Sequence, residues 1–347
     1  MKDSFSLKKT ENYEIRLARK DEGDLLMDFL RKYWNPNHAL AKSKELFDFQ
    51  HLSGNHYNVI VGFNVKTQEI DGIQALISVD QYDSNLNKYG NYWGAILKVR
   101  NDIDNPESKR LALYLIGCVF KLPDFKKLIS IGMGPLGLAT IRPWLKENGI
   151  LHHYYLANTD CSEFKIGRKL VQKNHIQTSC RVEDVDISLI EDIPESIYKP
   201  QKSLQYLINR YYKHPIYRYG FWGVYVDNQL SAIFVIRVAN VCNIGNCIHI
   251  VDCVGNLDEV GNLGNSINEQ LKKIGAEYVD IVNYGISPDK FREMGFEELD
   301  LDQEEVIVPN FFEPFERKNV VIRYAINPEQ DYVIFRADAD QDRPSII

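Results

Sequence analysis

A cluster of polar and aromatic residues in the first fifty positions holds the side chains best suited to bind a small polar molecule. It comprises Trp34, Asn35, Asn37, His38, Asp48, Gln50 and His51. Amide side chains hydrogen-bond hydroxyl groups in both directions, an indole stacks on a sugar face, and an imidazole can take a proton near neutral pH. The alternative interpretation is structural: Asn35-Pro36 is typical of a turn before a capped helix, and Asp48 is then a surface charge.

A second candidate, His249, lies in the apolar stretch 247–254. Strict strand alternation places His249 on one face with Cys247 and Cys253, and Asp252 on the other face. A strand histidine beside a bound substrate can act as a general base. The alternative, which we favour, is a satisfied core histidine with Asp252 capping the next loop. The cysteine and histidine spacing matches no usual zinc pattern, so we predict no metal site.

The elements that must position these side chains occur twice in the same order. Each half has a hairpin of two strands, a third strand, a helix, a short buried strand and a short helix ending in glycine. The first-half segments are 57–65, 73–79, 92–99, 106–120, 128–132 and 142–150, and their counterparts are 219–226, 232–238, 247–254, 257–274, 278–282 and 291–296. An offset of roughly 150 residues favours a duplicated domain.

The repeat predicts an α/β chain with two domains. We place the N-terminal domain at residues 1–160, a polar linker or edge segment at 161–203, and the C-terminal domain at 204–347. The apolar runs 306–308, 320–324 and 332–335 are expected to be closing strands of the second half.

The composition restricts the classes of molecule that the protein is expected to bind. A net charge of −7 and a pI of about 5.7 argue against nucleic acid and anionic membranes as main partners. The sequence has no apolar run long enough for a membrane span and no signal-peptide pattern at its N-terminus. Its six cysteines include no CxxC pair, so we expect reduced thiols and a cytoplasmic location. A small-molecule acceptor is the expected partner, and homodimer formation is left open.

The element order resembles the GNAT superfamily of acyl-CoA-dependent transferases. The resemblance is best at 222–238, 247–274, 278–282 and 287–298, and it covers most of the chain as order rather than identity. It implies two tandem GNAT-like modules, each a mixed, mostly antiparallel sheet flanked by helices, with acetyl-CoA or another acyl-CoA as co-substrate. The strings at 33–38 and 338–344 also resemble GNAT-like proteins of bacterial surface-polysaccharide biosynthesis.

The resemblance also assigns roles to individual residues. The catalytic candidates are His38 and His249, as bases, and Tyr284, which would protonate the leaving thiolate. The cluster of Trp34, Asn35, Asn37, Asp48, Gln50 and His51 would contact the acceptor. The candidates for cofactor binding are Val99, Arg100, Asn105, Ser108, Lys109 and Arg110, with Asn105 and Pro106 starting a helix that faces an open cleft.

Both halves depart from the family's glycine-rich phosphate loop. The segment 101–110 contains no glycine, and the glycine-rich segment 255–264 carries Asp258 and Glu259, which would repel a pyrophosphate. From the resemblance, the leading hypothesis is an acyl-CoA-dependent N- or O-acyltransferase acting on a sugar or sugar nucleotide. The alternatives are a Fem-like aminoacyl transferase and a non-catalytic GNAT-like binding protein. We interpret the acidic stretch 338–342 as a solvated tail rather than a DxD metal site.

Overall fold

The computed structural model describes residues 6–327, 332–342 and 344. Its described residues form two compact units. The first contains residues up to 149 together with 323–327 and 344, and the second contains 150–322 and 332–342. Among the described residues, no helix has the length and apolarity needed to cross a bilayer.

The first unit is a mixed sheet with helices. Its strands are β1 (Ser6–Lys9), β2 (Tyr13–Arg19), β3 (Leu52–Ser53), β4 (His56–Asn64), β5 (Glu69–Ser78), β6 (Asn91–Val99), β7 (Lys127–Ile131), β8 (Glu147–Ile150) and β18 (Arg323–Ile326). Its helices are α1 (Gly23–Tyr33), α2 (Ala39–Lys42), α3 (Lys44–His51), α4 (Leu111–Val119) and α5 (Pro135–Ile141). The sheet order is β1-β2-β4-β5-β6-β7-β18-β8, with β3 beside β4.

Helix α4 forms because an apolar run follows a strong start signal. The Asn105 side chain accepts from the Glu107 N–H at 2.9 Å, and Pro106 opens a 3-10 turn that leads into the helix, as predicted. The helix packs closely on β4, where a Cβ at Gly62 would lie 2.7 Å from Leu111. Glycine at this position therefore lets the helix approach the sheet.

The second unit repeats this plan. Its strands are β9 (His152–Ala157), β10 (Arg181–Asp184), β11 (Gly220–Val226), β12 (Gln229–Val241), β13 (Gly245–Gly255), β14 (Ala276–Tyr284), β15 (Glu297–Glu298), β16 (Phe311–Phe312), β17 (Phe315–Glu316) and β19 (Ile334–Phe335). Its helices are α6 (Leu204–Leu207), α7 (Gly264–Ile274) and α8 (Pro288–Glu293). The main order is β10-β11-β12-β13-β14-β9-β15, and β19 also pairs with β14.

The predicted repeat is confirmed in its order of elements. The series β4, β5, β6, α4, β7, α5 has its counterpart in β11, β12, β13, α7, β14, α8. The short helix of the first half differs from expectation: it is α5, and residues 147–150 form strand β8 instead. Since β8 is extended, Gly149 is no helix cap, whereas Gly295 follows α8 with a left-handed φ of 99°.

Two strands lie in the opposite sheet from the one that chain order predicts. Residues 152–157, expected within the N-terminal domain, form β9 and pair with β14 of the second sheet. Residues 323–326, expected to close the second half, form β18 and pair with β7 of the first sheet. Each sheet thus receives at the same position a strand from the other half of the sequence.

A β-bulge in β13 changes the face assignment predicted around His249. Asp252 pairs with Val235 and Ile250 with Ile236, so Val251 is the extra residue. One extra residue reverses the alternation beyond it. Cys253 therefore packs in the helix-covered core with Ile250, while Cys247 belongs to the cluster on the other face. The expectation that His249 and Cys253 share a face is wrong.

The expectation of a solvated acidic tail is also wrong. Asp338, Asp340 and Asp342 are at most 6% exposed. Asp338 forms an ion pair with Lys202, and Asp342 forms one with Arg237. Paired charges of this kind can be buried, which a stretch of acidic residues does not reveal by itself. No group of His, Cys, Asp and Glu residues in the described part of the chain is arranged to hold a metal ion.

Candidate functional site

The first sheet opens where β6 and β7 separate. These parallel strands pair from Asn91 opposite Lys127 to Gly94 opposite Ser130, and their pairing ends there while β6 continues to Val99. The opening coincides with a β-bulge, because Gly94 pairs with Leu76 and Ile96 with Ala75, which leaves Ala95 as the extra residue. A bulge frees backbone groups from the ladder, so this edge can hydrogen-bond a ligand.

A cavity of about 260 Å³ occupies this opening. Its lining combines the end of β7, the following glycine-rich loop and helix α5 with the middle of β6 and one residue each from β5 and the α1–α2 turn. The lining residues are Trp34, Gln74, Gly94, Ala95, Leu97, Ser130, Ile131, Gly132, Met133, Gly134, Gly137 and Ile141. All of these side chains are uncharged, so the cavity suits a neutral, partly apolar group.

Two buried polar side chains give the cavity its hydrogen-bonding character. Gln74 is 6% exposed and its Nε2 donates to the Ala75 carbonyl at 3.0 Å, which fixes the amide orientation. Ser130 is 4% exposed and lies against Gly94, where an added Cβ would come within 2.6 Å of its Oγ. Glycine at position 94 therefore permits a close approach of β6 and β7 at the point where they begin to diverge.

The turn between α1 and α2 brings Trp34 to the cavity. The helix ends because the Trp34 and Asn35 N–H groups both donate to the Leu30 carbonyl at 3.0 Å. The Asn35 side chain then accepts from the Asn37 N–H at 2.8 Å, which is the turn that Asn-Pro predicts. Trp34 is 44% exposed, and its ring lies 6.3 Å from that of His38, edge to face.

His38 has a defined structural role. It is 5% exposed, and its Nδ1 accepts from the Leu40 N–H at 3.3 Å as the cap of α2. His38 is therefore a buried capping residue, which agrees with the structural interpretation of this stretch as a turn before a capped helix. Because Nδ1 accepts this bond, the neutral imidazole carries its proton on Nε2, which favours donation from that nitrogen.

Trp34 alone among the predicted acceptor residues is in the cavity lining. Asp48 binds Lys44 and Tyr57 beside α3. His51 is fully buried, and its Nδ1 lies 2.9 Å from the Leu76 carbonyl. Gln50 is buried with its Nε2 3.3 Å from His51 Nε2. Acceptor binding by Asn35, Asn37, Asp48, Gln50 and His51 stays a prediction.

The predicted phosphate-binding residues follow the end of β6. Arg100 donates to Asp102 at 2.6 Å and to Glu69, and the hydrogen bonds to Asp102 raise the pKa of its guanidinium. Ser108 donates to the Asn105 carbonyl at 2.6 Å. Lys109 and Arg110 are exposed. Val99, Asn105 and these four residues are outside the cavity lining, so their role in cofactor binding stays a prediction.

The catalytic candidates from the second half of the sequence, His249 and Tyr284, lie in the second unit. His249 is fully buried, hydrogen-bonded through Nδ1 to Asp280, and burial lowers its pKa despite that carboxylate. His153 binds the other oxygen of Asp280 at 2.8 Å. Tyr284 ends β14 and pairs with Ile334. The catalytic roles of His249 and Tyr284 stay predictions.

Sequence reasoning missed most of the cavity. Gln74, Gly94, Ala95 and Ser130 lie inside strands, where nothing local distinguishes them. One signal was available: the glycines at 132, 134 and 137 directly follow a buried strand, and such a run often marks close contact between backbone and ligand.

Several solved structures align with most of this chain at low sequence identity. A probable N-acyltransferase from Enterococcus faecalis aligns with 90% of this chain and 72% of its own, at 8% identity and a TM-score of 0.51. A GCN5-related N-acetyltransferase from Anabaena variabilis aligns at 9% identity, with 90% and 72% coverage and a TM-score of 0.49. Saccharomyces cerevisiae N-myristoyltransferase with bound myristoyl-CoA aligns at 8% identity, with 95% and 82% coverage and a TM-score of 0.47.

No protein-family profile and no curated protein sequence matches the chain. At these identities structural similarity establishes the fold alone. The duplicated order of elements, the opening between two parallel strands and the alignment with a probable N-acyltransferase agree in one conclusion: the chain has a tandem GNAT-like fold.

Proposed function

We propose that this protein is an acyl-CoA-dependent N- or O-acyltransferase and that the first unit binds the acyl donor. The observation that carries the proposal is the cavity at the divergence of β6 and β7, next to the bulge at Ala95. Backbone groups freed by the bulge can pair with the amides of a pantetheine arm, and an N–H group there can stabilise the oxyanion formed on the thioester carbonyl.

The acceptor in this proposal is a small polar molecule, a sugar or sugar nucleotide used in surface-polysaccharide biosynthesis in the cytoplasm. Support comes from Trp34, whose half-exposed indole is at the cavity and offers a stacking surface. Gln74 and Ser130 add neutral hydrogen-bonding groups, and the absence of charge in the described lining favours an acceptor whose reacting end is uncharged. Direct transfer needs mainly positioning of the two reactants.

In this proposal, the proton of the acceptor is transferred near Trp34. His38 touches that region through the edge-to-face contact with the indole. With Nδ1 engaged by the Leu40 N–H, His38 would first act as a hydrogen-bond donor that orients the acceptor. Its action as a base would require release of that bond, either to free Nδ1 or to move the proton from Nε2 to Nδ1.

Binding of acetyl-CoA to the Gly134→Leu variant tests the proposed donor site. A Cβ at Gly134 meets no atom within 4 Å, and its φ of −73° suits any residue. We expect the leucine to obstruct the cavity and to weaken acetyl-CoA binding at least about tenfold, equivalent to about 1.4 kcal/mol. Melting temperature should change little, because the added side chain meets open space.

Gly117→Ala is the matched control, since Gly117 lies in α4, outside the cavity lining, and a Cβ there makes an ordinary 3.6 Å contact with Trp144. Unchanged affinity in Gly134→Leu would contradict the proposed donor site. Release of CoA thiol in the presence of amino sugars or nucleotide sugars then tests transfer. Binding of acetyl-CoA without transfer to any acceptor would favour a non-catalytic binding protein, and transfer from aminoacyl-tRNA would favour a Fem-like enzyme.

A further inference from the structure

The second unit contains the same opening between parallel strands as the first. The pairing of β13 with β14 ends at Ile250 opposite Ile281, directly before the bulge residue Val251. By position in the repeat, Val251 corresponds to Ala95 of the first unit. The second unit therefore has the groove that, in the first unit, forms the proposed donor cavity.

The groove of the second unit is filled by the chain itself. Residues 334–335 form β19 and pair antiparallel with Asn283 and Tyr284 at the end of β14. Two residues further on, the Ala337 N–H donates to the carbonyl of Val251 at 3.1 Å. A peptide amide thus binds the backbone of the bulge, and Val333, Phe335 and Ala337 are all at most 4% exposed.

Buried ion pairs hold this segment in place at two points. Lys202 Nζ lies 2.6 Å from Asp338 and 2.5 Å from Asp252 of β13. Further along, Arg237 of β12 binds Asp342 at 2.8 Å. Lys202 thus joins the segment to β13 by binding Asp338 and Asp252 together. Loss of the Asp342 carboxylate would leave the buried Arg237 guanidinium without this counter-charge, which is unfavourable.

Backbone contacts add to these ion pairs. Arg210 donates to the carbonyls of Ala337, Asp338 and Ala339. The Asp338 carboxylate also accepts from the Phe335 N–H at 2.8 Å, which shapes the turn of the segment. The segment is therefore recognised through its main chain and through two acidic side chains four residues apart.

The start of α7, which follows the groove, is also covered. The Gly264 N–H donates to the Asn262 side chain at 3.0 Å. The His175 ring packs on Gly264 so closely that a Cβ there would lie 2.0 Å from it. The Gly264 N–H, which could otherwise bind a phosphate at this helix, is thus engaged within the chain and lies beside the His175 ring.

We propose that the groove of the second unit is a peptide-binding site occupied by residues 332–342 of the same chain, which serve as an internal ligand in place of an acyl-CoA. It follows that each chain binds one acyl-CoA, in the first unit. The statement about stoichiometry rests on the proposed function, whereas the occupancy of the groove by the segment does not.

Hydrogen exchange of the full-length protein tests occupancy without any ligand. We expect the Ala337 amide to exchange as slowly as the amides of β13. In Asp342→Asn, which leaves Arg237 without its carboxylate, the amides of 333–340 should exchange about 10- to 100-fold faster. Protection of β12 and β13 in the same sample reports that the unit is folded. If the second unit of Asp342→Asn is not folded, the same measurement is made on Asp338→Asn. That variant keeps a side-chain oxygen that can accept from the Phe335 N–H.

Asp302→Asn is the matched control, because Asp302 is an exposed aspartate of the same unit and its loss should leave exchange of 333–340 unchanged. Rapid exchange of Ala337 in the wild-type protein would overturn the proposal. Native mass spectrometry with acetyl-CoA separates the two hypotheses. A protected segment with no bound acetyl-CoA would refute the proposed function alone. Two bound molecules would refute the internal ligand, whereas one molecule that persists in Gly134→Leu would contradict the donor site in the first unit.

Discussion

Replacement of Gly94 by alanine tests the close approach of β6 and β7 on which the cavity depends. The new Cβ would lie 2.6 Å from Ser130 Oγ, about 1 Å closer than carbon and oxygen atoms normally approach. Overpacking of this size in a buried site costs about 1–3 kcal/mol, and we expect Gly94→Ala to lose that much free energy of unfolding.

The structure also predicts how this loss can be reversed. In Gly94→Ala/Ser130→Ala the offending hydroxyl is absent, and the nearest atoms become the Ser130 Cβ at 3.6 Å and the Ile129 carbonyl oxygen at 3.8 Å, which are ordinary contacts. We expect the double variant to be about as stable as Ser130→Ala alone, with a coupling energy of about 1–2 kcal/mol between the two positions.

Urea unfolding of the wild type, both single variants and the double variant measures this coupling. Acetyl-CoA titration of the same samples measures the effect on the cavity. Affinity should stay at least about tenfold reduced in the double variant, because the methyl group of residue 94 remains in the lining. A stable Gly94→Ala, or a double variant no more stable than Gly94→Ala, would refute the packing argument. If the double variant recovered wild-type affinity for acetyl-CoA together with its stability, the placement of the ligand beside residue 94 would be refuted.

Two further predictions concern histidines. His38→Ala removes the cap of α2 and should cost about 0.5–2 kcal/mol of stability. His38→Asn keeps a side-chain oxygen that can cap the helix, so it should keep the stability of the wild type. If His38 also acts on the acceptor, both variants should lose turnover, by about 10²–10⁴-fold for a general base. Normal turnover in His38→Asn would limit the residue to capping. In the second unit, burial lowers the pKa of His214 to about 4, and its Nδ1 accepts from the Ile216 and Tyr217 N–H groups. A folded-state pKa below the usual 6.5 gives stability that is present above pH 6.5 and lost as the pH falls to about 4, by up to about 3 kcal/mol. Urea unfolding from pH 7 to 4 should show this loss, and His214→Asn should reduce it; an unchanged slope in the variant would contradict the assignment.

The sequence by itself determined the repeated order of elements, because hydrophobic periodicity and turn residues are local signals. The start of the α4 region at Asn105 and Pro106 was predicted for the same reason. So was the turn at Asn35, whose side chain bonds its own backbone. These features depend on residues within a few positions of each other, so a single sequence contains what is needed to infer them.

Tertiary structure alone decided which residues form the candidate site. The bulges at Ala95 and Val251 appear only when strands pair, and the bulge in β13 reversed the faces inferred for Asp252 and Cys253. The exchange of β9 and β18 between the two sheets leaves no local signal either. The sequence predicted that Asp338 and Asp342 are solvated, because their buried cationic partners, Lys202 and Arg237, lie more than 100 residues away along the chain. Burial of a charge depends on its partner, and that partner is brought to it by the fold.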